Sequence, residues 1–254
     1  MTADGNALAN EARNSILNVD EAVQSRGIPP AALVAAESLL RTDAAAGFGQ
    51  SRRDWRESEA RRQRGILASA AESIVLAGRA LADEGEHLVH GDQENGLAHK
   101  ATNNARFGFV LDQDEFDEHR RLSPRPALPS EYLWRIGLQN VVFGDAIRLE
   151  GISKGSEGVP SIHTAQPWVD GTAPTLEEIA AFMESAGFTQ IPREMFAKRV
   201  AKNLAWYRAA DGVLVYDAKP SNFLKSAEGE IDPIDLVISL YPKEFLEDTA
   251  RRVG

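Results

Sequence analysis

The spacing of apolar and polar positions changes character at about residue 80. Before that point, Ala7–Gln24, Pro30–Leu40 and Arg56–Leu81 are rich in Ala, Leu, Glu and Arg, which favour helix, and the runs break at Gly27-Ile28-Pro29-Pro30 and Ala46-Gly47-Phe48-Gly49. These runs predict a helical extension over residues 1–80. Beyond it, short β-branched runs alternate with polar turns. Glu86–His90 and Gly96–Thr102 read as a hairpin about the polar turn at 91–95. Ser130 is placed to cap a helix in which Tyr132, Leu133 and Ile136 have helical spacing. Asn140–Ile152 and Ser161–Val169 read as two strands that lead to a hinge at about Gln166–Gly171. Thr175 caps an amphipathic helix over 176–186 that ends at Gly187, and Arg193–Arg208 reads as a second helix. Val213–Tyr216 and Ile231–Ile238 read as strands, with a turn at Ala227–Glu230 between them. The class is α+β.

One polar segment stands out from this background. Asp217-Ala218-Lys219-Pro220-Ser221-Asn222 follows the Val213 run, and Asp235 lies thirteen residues beyond Asn222 (235 − 222). Phosphoryl transfer needs a carboxylate to orient the acceptor hydroxyl, a cation near the moving group, and oxygen ligands for Mg²⁺. Asn222 offers an amide oxygen and Asp235 a carboxylate, the hard donors that Mg²⁺ takes. Pro220 restricts the loop and removes a backbone donor, which suits a fixed turn. The competing reading is a surface turn built from common turn residues.

The spacing resembles the protein-kinase catalytic loop and its metal-binding aspartate, in which an asparagine follows the catalytic aspartate by five residues. By that resemblance Asp217 is the catalytic base, Lys219 the γ-phosphate lysine, and Asn222 and Asp235 the Mg²⁺ ligands. Val215-Tyr216 stand where His-Arg precede that aspartate, and Leu236-Val237 stand where Phe-Gly follow the second one. Only 19 residues follow Asp235 (254 − 235), which implies a shortened C-lobe. Lys100, late in the second hairpin strand, takes the place of the nucleotide lysine, with Glu131 as its helix partner. No G-x-G-x-x-G precedes Lys100, and Gly78 and Gly85 are a thin substitute.

The phrases Glu131-Tyr132-Leu133-x-Arg135, Asn140-x-x-Phe143-Gly144-Asp145, Gln166-Pro167-Trp168 with Gly171, and Glu177-Glu178-Ile179 with Gly187-Phe188 add to that loop. Together they resemble the kinase-like domains of phage and mobile-element polyvalent proteins, across about residues 80–241. The resemblance implies a two-lobed kinase-like fold, with an N-lobe and hinge over 81–170 and a reduced C-lobe over 171–254. It implies ATP and Mg²⁺ as cofactors, nucleotide contacts from Lys100, Glu131, Gln166 and Trp168, and a protein or small-molecule hydroxyl as acceptor. The rival class is a pseudokinase-like module that binds nucleotide or a partner without turnover.

Composition narrows the alternatives. The chain has 254 residues and no cysteine, so thiolate chemistry, disulfides and cysteine zinc sites are excluded. A net charge of −10 disfavours general nucleic-acid binding, and the arginines between Arg52 and Arg64 are interrupted by Glu57 and Glu59. No run approaches the roughly 18 apolar residues of a membrane helix, and the N-terminus lacks the pattern of a secretory signal. The expected location is the cytoplasm. Asp112–Glu118 is acidic but lacks the glycine and terminal glutamate of an EF-hand loop.

Overall fold

The computed structural model describes residues 3–17, 28–41, 53–72, 79–84, 86–103, 106–114, 116–154, 158–197 and 204–253. Helices α1 (Ala3–Leu17), α2 (Pro30–Leu40) and α3 (Arg53–Ser69) precede strands β1 (Arg79–Glu84), β2 (His87–Asp92), β3 (Leu97–Thr102), β4 (Phe109–Gln113) and β5 (Leu122–Pro126). Then come α4 (Pro129–Phe143), β6 (Arg148–Lys154), β7 (Pro160–Pro167), α5 (Leu176–Ser185) and the short β8 (Thr189–Gln190). The last elements are β9 (Ala205–Arg208), β10 (Val213–Tyr216), β11 (Phe223–Lys225), β12 (Ile231–Pro233), β13 (Val237–Leu240) and α6 (Lys243–Val253). The chain forms two compact units. The first comprises residues 1–10, 109–125 and 169–254, and the second comprises 11–108 and 126–168.

The second unit is a helix-covered antiparallel sheet of order β1-β2-β3-β7-β6. Tyr132, Leu133 and Ile136 of α4 form one core with Leu149, Ile152 and Ile162 of the sheet and with Leu39 and Leu67 of the preceding helices. The helical spacing at 132, 133 and 136 therefore describes a real buried stripe. Its start differs from the expected Ser130 cap. Leu128 is the N-cap and Pro129 occupies the first turn, where its fixed φ is pre-organised for helix. The Ser130 N–H is instead taken by Gln63 Oε1 of α3 at 2.9 Å. Asn140–Phe143, expected as strand, is the last turn of α4, which ends at left-handed Gly144 (φ 74°). Asn140 then ties the helix end to the sheet, because its side chain exchanges two hydrogen bonds with the Ile147 backbone at 2.8 and 2.9 Å.

The first unit is built on the sheet β13-β10-β9-β8, with the small hairpins β4-β5 and β11-β12 beside it. Leu214 and Tyr216 of β10, Val237 of β13 and Leu111, Leu122 and Leu246 share its core. The end of the expected 193–208 helix is strand β9, paired with β10 from Val213↔Arg208 to Tyr216↔Ala205. Cross-strand pairing and the complete burial of Trp206 override the local propensity of that segment; residues 198–203 of the expected helix lie outside the described residues. Ile231–Ile238 is likewise two strands, β12 and β13, separated by Ile234-Asp235-Leu236. Among the described residues, no helix is long and apolar enough to cross a membrane.

Candidate active site

The site in the first unit begins where β10 ends. Val213–Tyr216 are all buried, so the strand is fixed on both faces up to its last residue. Asp217 then turns the chain with φ at 62°, a left-handed conformation that a short polar residue adopts more readily than most. That turn allows the Lys219 N–H to reach the Asp217 carbonyl at 2.8 Å, and the Asn222 N–H reaches the Lys219 carbonyl at 2.9 Å. Pro220 opens the short 3₁₀ turn Pro220–Asn222.

Three predicted residues meet at the Asp217 carboxylate. Lys219 Nζ lies 2.9 Å from Asp217 Oδ2. The Asn222 amide donates both to that same oxygen, at 3.0 Å, and to the Asp217 carbonyl, at 2.8 Å. Asn222 is buried, so these bonds fix its amide plane. The NH₂ end is committed to Asp217, which leaves the Oδ1 end of the amide for other partners. There Ser221 Oγ lies 3.4 Å away. A fixed, neutral oxygen beside a carboxylate is suitable for a hard divalent cation.

Asp235 is brought to the same end of the unit by backbone pairing. The β11-β12 hairpin has the register Phe223↔Pro233, Leu224↔Asp232 and Lys225↔Ile231. One residue beyond it, the Ile234 N–H donates to the Asn222 carbonyl at 2.9 Å. Asp235 therefore follows directly on a residue bonded to Asn222. The hairpin is held in turn by its Lys225. Its backbone exchanges bonds with Thr172 at 2.7 and 3.0 Å, and its ammonium pairs with Glu178 at 2.5 Å. A Cβ on Gly171 would lie 2.6 Å from the Lys225 carbonyl, so this close approach requires glycine. The Lys225 bond, followed by the Thr175 backbone bond, holds the Glu178 carboxyl below its ordinary range. Thr175 and Glu178 form the reciprocal cap at the start of α5, with bonds of 3.2 and 2.8 Å.

The second unit carries the other predicted residues. Lys100 pairs with Val89 on one side and Thr164 on the other. Paired residues share a face, and alternate residues of one strand do too. Lys100 therefore lies on the same sheet face as Ile162, the face that α4 covers. Gln166, paired with Ala98, is on this face as well. It is buried, and its Oε1 has no hydrogen-bond partner among the described residues. The Trp168 N–H donates to the Gly96 carbonyl at 2.9 Å and anchors the end of β7 to the β2-β3 turn. Glu131 Oε2 accepts from the Leu128 N–H at 2.7 Å, so it caps α4. Glu84, at the end of β1, pairs with His87, at the start of β2.

Sequence reasoning missed a buried ion pair in this unit. Arg135 of α4 grips Glu86 with both nitrogens of its fork, Nη1 to Oε2 at 3.0 Å and Nη2 to Oε1. The available signal was a lone arginine one position from Ile136 within an apolar helical stripe.

A search of curated proteins and of solved structures found no match to the chain. Family comparison did. The matched segment, residues 125–242, includes Glu131, Gln166, Trp168, Asp217, Lys219, Asn222 and Asp235, whereas Lys100 precedes it. It matches the family described as the serine/threonine/tyrosine kinase found in polyvalent proteins.

Proposed function

We propose that the chain is an ATP- and Mg²⁺-dependent phosphotransferase that modifies a hydroxyl group on a protein or a small molecule. The observation that carries this reading is the closed cluster at Asp217. One carboxylate is held by a lysine and by a buried asparagine whose NH₂ end is committed to the same aspartate. The ordinary turn reading explains an Asp-x-Lys-Pro-x-Asn loop, but not why a buried asparagine spends both bonds on the first aspartate. The mixed helix and sheet architecture, with a helix between the third strand and the last two strands of the β1-β2-β3-β7-β6 sheet, supports a kinase-like N-lobe.

The residues present suit the cofactors. Asn222 Oδ1 and the Asp235 carboxylate supply hard oxygens. Gln166 Oε1 is a buried acceptor without a partner among the described residues, on the sheet face that carries Lys100, and such an atom fits a donor group of a nucleotide base. Mg-ATP, when bound, supplies the phosphoryl group and the divalent charge that shields its oxygens. Asp217 orients the acceptor hydroxyl and takes its proton. Lys219 places a positive charge beside that carboxylate, Lys100 binds phosphate oxygens, and Asn222 and Asp235 hold the cation. Positioning and charge stabilisation account for most of the acceleration in such a design.

The sequence before Lys100, which lacks G-x-G-x-x-G, favours one alternative, a nucleotide-binding module without turnover. Incubation with Mg²⁺ and γ-labelled ATP separates the readings. Label should pass to protein or to a hydroxyl acceptor, and Asp217→Asn should abolish transfer while nucleotide binding survives. Binding without transfer in the wild type would sustain the module instead. Loss of neither transfer nor binding in Asp217→Asn and Asp235→Ala would end both.

A further inference from the structure

The Glu86–Arg135 pair occupies a position that the proposed chemistry makes sensitive. The Arg135 side chain is 5% exposed and that of Glu86 15%, so both charges are largely withdrawn from water. The guanidinium also lies over the Tyr132 ring, 5.1 Å from its centroid. The Tyr132 hydroxyl meets His87 Nε2 at 3.1 Å, and the same nitrogen is 3.2 Å from Glu86 Oε1. Gly108, at φ 75°, passes so closely that a Cβ there would strike both Glu86 and Arg135. The Glu86 carbonyl accepts from the Asn103 N–H at 2.8 Å, just beyond the end of β3. Helix α4, the start of β2 and the end of β3 are thus joined through one buried polar knot.

A buried ion pair is an expensive way to hold a helix, since apolar residues of similar volume hold it as well or better. What a two-pronged pair adds is a definite register. The register here matters to two residues. Arg135 is one helical turn from Glu131 on the same face of α4 (135 − 131). His87, beside Glu86, pairs with Thr102, two residues along β3 from Lys100 and on the same face (102 − 100). Sliding or rotating α4 would move Glu131 relative to Lys100, and the fork resists both motions.

We infer that Glu86 and Arg135 are a positioning pair that sets the register of α4 against the strand carrying Lys100, with the acid just before β2 and the base on the helix. The inference rests on the reading of Lys100 and Glu131 as nucleotide-binding residues. Neither member of the pair touches nucleotide in this scheme. They act by holding Glu131 and Lys100 in place.

The test compares Arg135→Lys, which keeps the charge but loses the fork, and Glu86→Asp, which withdraws the carboxylate by one methylene. Calorimetric Kd for Mg-ATP, KM and kcat of transfer, and amide exchange along α4 would be measured beside the melting temperature. Expected are a Kd and an ATP KM raised about tenfold, kcat at saturating ATP within about twofold, and faster exchange in α4. A purely structural pair would lower the melting temperature and leave Kd and KM of the folded fraction unchanged, and that result would overturn the inference. If either single variant fails to fold, Glu86→Gln/Arg135→Met removes both charges and keeps the volume. A wild-type Kd in that double variant would also overturn it. Failure of the wild type itself to bind Mg-ATP would sink the nucleotide reading and this inference with it, before any variant is compared.

Discussion

The contact between Asn222 and Asp217 can be tested by changing one atom. Asn222→Asp keeps the side-chain shape but replaces the donating NH₂ by a second carboxylate oxygen, 3.0 Å from Asp217 Oδ2. Two unit charges at that separation repel by about 5 kcal/mol at an effective dielectric of about 20. Lys219, 2.9 Å from the same oxygen, offsets part of this, and the Asp217 side chain is 20% exposed. A net penalty of about 2–3 kcal/mol remains, on the order of 5–10 °C in melting temperature for a chain of this length. The signature is its pH dependence. Crowded carboxyls relieve repulsion by retaining a proton in the folded state, so a folded pKa is raised above the unfolded one. Stability of the variant should therefore be close to wild type below about pH 4, the unfolded carboxyl value, and fall as pH rises through the raised folded value toward pH 8. Thermal unfolding of both proteins across that range, at low and high Mg²⁺, is the assay. Because a cation between the oxygens removes the repulsion, Mg²⁺ should recover part of the loss at pH 8. A variant as stable as wild type at pH 8, or a loss that ignores pH, would refute the geometry.

Other consequences are open to direct measurement. His163 is buried, with Nε2 2.6 Å from Ser153 Oγ, and burial pushes its pKa down to about 4. The unfolded chain then binds more protons between about pH 4 and 6.5, so wild-type stability should decline by up to about 3 kcal/mol as pH falls through that window. Urea midpoints should show a slope that His163→Phe lacks. Gly171→Ala, whose new methyl would press on the Lys225 carbonyl at 2.6 Å, should lower the urea midpoint by about 1–3 kcal/mol equivalent, and an unchanged midpoint would disprove the close approach. Lys219→Ala should reduce kcat for phosphoryl transfer roughly 10²-fold with little change in melting temperature, since the side chain is 47% exposed. Undiminished transfer would remove Lys219 from the mechanism.

What was legible in the sequence was what is local in the chain. Asp217, Lys219 and Asn222 lie within six consecutive residues, so their spacing survives as a motif. Thr175 and Glu178 are three apart and were readable as a helix start for the same reason. The Ser130 cap failed because the neighbouring Pro129 starts α4 one residue earlier, and because a glutamine 67 positions away takes the Ser130 N–H, which no local pattern shows. The helix expected at 193–208 failed at Ala205–Arg208 because a neighbouring strand supplies better partners than the segment's own backbone. Glu86 and Arg135 are 49 positions apart, and each alone reads as an ordinary surface charge. Their burial is a property of the packed sheet and helix.

The bond from the Ile234 N–H to the Asn222 carbonyl has a kinetic consequence. It closes a loop of only twelve residues (234 − 222), with the β11-β12 turn already inside it. Loops of about ten residues close in about 10–100 ns, and their entropic cost is modest beside that of distant pairings. The segment from Asp217 to Asp235 can thus condense before β8 and β9 find their places. Substitutions at Leu224 or Ile234 should slow refolding about as much as they destabilise, giving φ-values near one, while those at Trp206 should mainly speed unfolding. The Asp217–Asn222 loop would then be the nucleus around which its unit folds.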